Sequence, residues 1–131
     1  MAGWNFPEDL KYAKTDEWFR VEGDIVTIGI SDYAQDQLSD VVFVELPEVG
    51  RQLDAGEAFG VVESVKSTSD LYTAVAGEVV EVNSALEDKP ELVNESPYGE
   101  GWFIKIKASD LSALESLMDS TAYAEYCNGR E

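Results

Sequence analysis

Apolar positions along the chain fall in short runs separated by turn residues, a spacing that predicts strands rather than long helices. Trp18-Phe19-Arg20-Val21 and Ile25-Val26-Thr27-Ile28-Gly29-Ile30 flank Glu22-Gly23-Asp24 and predict a hairpin. A short strand is expected to begin near Tyr12-Ala13. Ser31-Asp32 predicts the cap of a short helix through about Leu38, because their oxygens accept free N–H groups. The apolar run Val41-Val42-Phe43-Val44-Glu45-Leu46 predicts a buried strand, ended by Pro47 and Gly50.

Further along, Asp54-Ala55-Gly56 turns into a strand over residues 58–62, and another is expected over residues 70–75. Ala76-Gly77 turns into Glu78-Val79-Val80-Glu81-Val82. Pro90, Asn94, Pro97 and Gly99 mark a loop-rich segment. Residues 101–107 alternate, as a half-exposed strand does. Leu111, Leu114, Leu117 and Met118 then recur at helical spacing, with Ser109 or Ser112 as cap and Ser112 and Glu115 at capping-box spacing. Such a stripe could dock a partner, but core packing is the better reading. Asp119-Ser120 interrupts it, a second short helix follows over residues 121–127, and Gly129 ends that helix. A weak repeat relates residues 23–28 to residues 77–82 and puts the segment around Lys66 between two similar halves.

These elements predict a mainly β fold with short α segments, a compact sandwich or barrel with helices at its C-terminal end. The 131 residues suit one domain over residues 1–131, with a core over about 10–108 and a helical segment over about 109–128.

Charge narrows the functions. Nine Lys and Arg stand against 27 Asp and Glu, a formal net charge of −18, which excludes a nucleic-acid binder and an anionic membrane surface. The acidic surface serves solubility or steers the chain to basic partner surfaces. Histidine is absent, which removes the commonest general base and zinc ligand. Cys127 is the only cysteine, so no internal disulfide can form and a packing role on a helix is expected. No run reaches the ~20 apolar residues of a membrane span. Met1-Ala2-Gly3-Trp4 has neither a basic region nor an apolar signal core. A cytoplasmic chain is expected, or a processed organellar one.

One segment carries chemistry. Glu63-Ser64-Val65-Lys66-Ser67-Thr68 lies between two strand-like runs, so it forms a hairpin tip, yet it lacks the Asn-Gly or Asp-Gly of a tight turn. A lysine there stands in solvent on a four-carbon stem, open to acylation, with small neighbours that let a modifying enzyme approach. An ordinary surface lysine is the other reading of the same residues.

The chain strongly resembles the glycine cleavage system H protein family. The matching stretches are Leu10-Lys11-Tyr12-Ala13, Glu17-Trp18, Ile28-Gly29-Ile30-Ser31-Asp32-Tyr33-Ala34-Gln35, and Val42-Phe43-Val44-Glu45-Leu46-Pro47-Glu48-Val49-Gly50. They continue with Val62-Glu63-Ser64-Val65-Lys66-Ser67, Gly77-Glu78-Val79-Val80-Glu81-Val82-Asn83, Asn94-Glu95-Ser96-Pro97-Tyr98, Gly101-Trp102, and Leu114-Glu115-Ser116-Leu117-Met118 with Tyr123. The series runs from about residue 10 to 126, and its order is what makes it specific.

The resemblance implies a hybrid barrel-sandwich like that of lipoyl domains, and lipoate amide-linked to Lys66, recognised through Glu63, Ser64, Val65 and Ser67. It implies a monomeric carrier with no turnover of its own. That carrier shuttles an aminomethyl group from a pyridoxal-phosphate glycine decarboxylase to a folate-dependent aminomethyltransferase. Dihydrolipoamide dehydrogenase then reoxidises the arm, and a lipoyl-attaching enzyme loads it in the first place. Thr15, Glu17, Asp70 and Thr73 match polar residues of a cleft that shelters the loaded arm. A donor that relays lipoate to other lipoyl proteins is the alternative function. Biotin carriage fits less well, since Val65 and Ser67 stand where biotinyl domains place Met, and an unmodified interaction module is a further reading. Three positions depart from the family pattern: Asp16 where His is usual before Glu-Trp, Ala74 where Pro is frequent, and Ala76 where Ser precedes the turn glycine. The first exchanges a possible cation for an anion beside the cleft.

Overall fold

The computed structural model describes residues 4–130. The reading of Met1-Ala2-Gly3 concerns residues outside that span. The chain forms β1 (Lys11–Tyr12), β2 (Glu17–Glu22), β3 (Ile25–Ile30), α1 (Asp32–Leu38), β4 (Val41–Glu45), β5 (Gln52–Leu53), β6 (Ala58–Ser64), β7 (Thr68–Tyr72) and β8 (Gly77–Val82). Then follow α2 (Ala85–Asp88), α3 (Leu92–Glu95), β9 (Ile104–Ala108), a 3-10 turn (Ser112–Ser116) and α4 (Ser120–Asn128). Among the described residues, no helix is long and apolar enough to cross a membrane.

The strands make two sheets, one in the order β1-β2-β3-β9-β8-β5 and one in the order β4-β6-β7. They pack as a sandwich, and neither closes into a barrel. The repeated segments become β3 and β8, which flank β9 on its two sides, each antiparallel to it. Inward side chains of both sheets, among them Phe19, Val26, Ile28, Val44, Phe59, Val62, Leu71, Val79 and Ile106, build the main core. A second cluster joins Leu10, Tyr12, Trp18, Tyr33, Tyr123 and Cys127 and seats α4 against β1. There the rings of Tyr12 and Tyr123 stack with centroids 4.7 Å apart, and Tyr12 and Met118 exchange two backbone hydrogen bonds of 2.9 Å. Cys127 is buried in this cluster, as its helical position predicts, and burial raises its thiol pKa.

Several expectations are met and several corrected. Ser31 caps α1 by accepting the Ala34 N–H at 3.1 Å. The strand over 41–46 is not buried throughout: Val41 and Val44 face the core, but Val42 and Phe43 are 50% and 51% exposed. The cause is a bulge between Val41 and Phe43 on an edge strand, which sets two residues between the inward positions. The strand expected at 70–75 begins earlier and ends at Tyr72, because the Thr73 hydroxyl turns back on Val75, donating to its carbonyl at 2.7 Å and accepting its N–H at 3.1 Å.

The loop-rich segment contains the one-turn helix α3, anchored by Asn94, and another one-turn helix, α2, just precedes it. Its side chain accepts the Val41 N–H at 2.8 Å and donates to the Ser39 carbonyl at 2.8 Å. The stripe of Leu111, Leu114, Leu117 and Met118 is not an α-helix: Leu114 lies in the 3-10 turn, Leu111 and Leu117 flank it, and Met118 bridges to Tyr12. The Asp110 carboxylate, not a capping box, takes the Ser112 N–H. Leu114 is buried and Leu111 and Leu117 pack on the main core, so the stripe is core. Asp119 does not merely interrupt; it caps α4 by accepting the Ala122 N–H at 2.8 Å.

In the six-stranded sheet, Gly29 and Gly77 are dictated by close approach. A Cβ at Gly29 would lie 2.6 Å from the Trp18 indole, and one at Gly77 would lie 2.3 Å from the Lys107 carbonyl oxygen. The second clash is with backbone, which cannot swing away. Gly77→Ala is therefore expected to destabilise the chain by about 3 kcal/mol, read from urea unfolding; an unchanged midpoint would show that β8 and β9 can separate without cost.

Candidate functional site

β6 and β7 pair through Val62↔Ser69 and Glu63↔Thr68, which leaves Val65, Lys66 and Ser67 as the tip between them. No residue of this tip has a positive φ. The turn is held instead by Ser64, a buried side chain at its base. The Ser64 Oγ accepts the Lys66 N–H at 3.1 Å and the Ser67 N–H at 3.0 Å, and the Ser64 N–H donates to the Ser67 carbonyl at 2.8 Å. The Val65 N–H donates to the Asp40 carbonyl at 3.0 Å and ties the tip to the start of β4. Thus the backbone of Lys66 is fixed while its side chain is exposed. Val65 beside it is 68% exposed, and Glu63 and Asp70 carry exposed carboxylates on the two strands.

From Ser67 a cleft of about 180 Å³ runs between β7, the Thr15–Glu17 turn and α1; Ser69, Asp70, Gln37 and Arg130 contribute to its walls. Glu17 lies in its floor, only 1% exposed. The Thr15 hydroxyl donates to Glu17 Oε1, and the Tyr72 N–H donates to Oε2 at 3.0 Å. Burial outweighs both bonds and pushes the Glu17 carboxyl up to about 7. A second hollow of about 330 Å³, lined by Ala13, Gly56, Tyr72, Thr73 and Ala74, meets the first at Thr15 and Glu17.

The four residues expected in one cleft are thus divided. Thr15 and Glu17 face both hollows, Asp70 only the first, and Thr73 only the second. Thr73 is buried with its hydroxyl engaged by Val75, so it offers little to a ligand. Sequence reasoning missed Gln37, Ser69 and Arg130; Arg130 lies 114 residues from its partner Asp16, a pairing no local pattern announces.

Comparison with known proteins points to one family. The family model described as glycine cleavage H-protein matches residues 10–130. The chain belongs to the glycine cleavage H-protein family. It is 58% identical over 125 residues to the glycine cleavage system H protein of Bacteroides thetaiotaomicron, covering 95% of this chain and 99% of that one. It is 60% identical over 119 residues to the namesake from Symbiobacterium thermophilum, covering 91% and 93%. Among solved structures, the crystal structure of a glycine cleavage system H protein from Mycobacterium marinum superposes with a TM-score of 0.86 at 39% identity, covering 95% of this chain and 99% of that one. The lipoyl-domain-like fold expected for an H-protein relative is therefore present, in its sandwich form.

Glu17 gives this family member a measurable pH signature. Its folded pKa lies above the unfolded carboxyl value of about 4.3, so its contribution is complete below that value and is lost as pH rises through about 7. Relative to Glu17→Gln, the chain should lose stability across that window with a limiting slope of about 1.4 kcal/mol per pH unit. Urea midpoints of both proteins across the window test this, and parallel curves would contradict it.

Proposed function

We propose that Lys66 bears lipoate in amide linkage and that the chain is the carrier component of glycine cleavage. The observation that carries this reading is a lysine with fixed backbone and exposed side chain, next in sequence to Ser67, which lines a cleft containing Glu17 and Asp70, in a chain of this family. When attached to Lys66, lipoate would supply a dithiolane whose S–S bond opens as one sulfur takes up the aminomethyl carbon from a pyridoxal-phosphate glycine decarboxylase and the other becomes a thiol; a folate-dependent aminomethyltransferase would remove that carbon to leave the dithiol, and dihydrolipoamide dehydrogenase would reoxidise the dithiol.

The protein's own residues position and protect. Ser64 sets the direction in which the Lys66 side chain leaves the tip. Glu63, Ser64, Val65 and Ser67 form the surface that a lipoyl-attaching enzyme must cover to reach Nζ. The cleft walls exclude bulk water from what enters. Glu17 and Asp70 present carboxyl groups to a cationic amine, and such a cation would pull the Glu17 proton off. The net charge of −18 favours partners with basic docking faces.

Intact mass of the chain produced with lipoate and its ligase, beside Lys66→Arg, tests the assignment. A gain of one lipoyl group that is absent in Lys66→Arg is expected. No gain in either, with other lipoyl proteins modified in the same cells, would sink the carrier reading.

A further inference from the structure

Asp16 is one of two non-glycine residues with positive φ among the described residues, at 81°. It closes the turn between β1 and β2: its N–H donates to the Ala13 carbonyl at 2.9 Å, and its carbonyl accepts the Ser31 N–H at 3.0 Å. The same turn presents Thr15 and Glu17 to the cleft. Left-handed backbone at a residue other than glycine persists where surroundings hold it, and here the holding groups come from the far end of the chain.

Arg130, just past α4, grips the Asp16 carboxylate with two nitrogens, Nη1 to Oδ1 at 2.6 Å and Nη2 to Oδ2 at 2.9 Å. Its guanidinium lies over the rings of Tyr33 and Tyr126 at 4.5 and 4.6 Å, a stacking that keeps the fork in one orientation. Tyr123 OH donates to Asp16 Oδ1 at 2.7 Å, and Tyr126 OH donates to the Lys14 carbonyl at 3.1 Å. Three side chains of one C-terminal segment therefore clamp one four-residue turn. The ion pair is partly shielded, with Asp16 16% and Arg130 30% exposed in their side chains.

We propose that Arg130 and Asp16 are positioning residues of the arm cleft: their ion pair locks the turn that carries Thr15 and Glu17, and neutralises the one carboxylate adjacent to Glu17 in the chain. This rests on the carrier reading for its purpose, though not for its geometry. The groups around Glu17 are the Thr15 hydroxyl, the Tyr72 N–H, the Asp16 and Asp70 carboxylates, and the Arg130 and Tyr33 side chains. Burial is the main reason that Glu17 holds its proton; the Asp16 carboxylate adds a smaller push in the same direction, and Arg130 is the counter-ion of Asp16.

The test uses the full chain, with the Glu17 carboxyl followed by carbon NMR and the lifetime of an aminomethyl-loaded arm followed by release of ammonia. Arg130→Gln should move the Glu17 midpoint upward by about half a pH unit and shorten the lifetime several-fold, with Arg130→Lys restoring part of both. Asp16→Asn tolerates the left-handed backbone, removes the charge, and should move the midpoint the other way. An unmoved midpoint in a folded Arg130→Gln would overturn the proposal. A moved midpoint with an unchanged lifetime would also overturn it, as far as the arm is concerned. Failure of Lys66 to gain a lipoyl group would instead strike the carrier reading, and the titration in the unmodified chain distinguishes the two.

Discussion

The Ser64 hydroxyl is the contact on which the site depends, because it resolves a conflict built into a hairpin that must expose a lysine. A tip can be tight through glycine, which gives up stiffness, or it can be filled with ordinary residues, which have no left-handed backbone to turn on. Here the side chain at the base of the turn accepts two tip N–H groups and so substitutes for a glycine turn. Val65 and Lys66 keep normal backbone angles, and the Asp40 carbonyl braces the tip from the next strand. Rigidity at the backbone with freedom at the side chain is what an arm anchored at one end requires.

A second constraint lies beneath. Glu17 enters the interior at the first residue of β2, beside Trp18, which is fully buried and donates its indole N–H to the Pro97 carbonyl at 3.0 Å. The register that sets Trp18 against Gly29 therefore also buries the Glu17 carboxyl. Packing and site chemistry share one strand: the aromatic cluster that seats α4 is the same cluster that turns Asp16, Thr15 and Glu17 towards β7. The C-terminal helix packs on the fold, and Arg130 just beyond it contributes to the cleft wall.

How much of this could be read from the sequence depends on range. The β2–β3 hairpin, the Ser31 cap and the lysine tip are local patterns, each set by residues a few positions apart, and they are legible. The burial of Val42 and Phe43 is misread because a bulge shifts register without leaving a mark in hydropathy. The stripe at Leu111 to Met118 has helical spacing, yet a 3-10 turn satisfies the same inward positions over so short a span. The candidate cleft is legible only by resemblance, and then incompletely. The pairing of Thr73 with Val75 and the reach of Arg130 to Asp16 depend on turns and on contacts across most of the chain. Asp16, where the family pattern has His, is visible in the sequence as a departure, but only the fold supplies its counter-ion.

In the proposed cycle a fixed Lys66 delivers its arm into the neighbouring cleft. Amide spectra of the lipoylated chain, compared with and without an aminomethyl load, test this most directly. Shifts are expected at residues 15–17 and 67–70 and at the Tyr72 N–H, which bonds Glu17. Shifts confined to residues 64–68 would show an arm that stays in solvent and would contradict it.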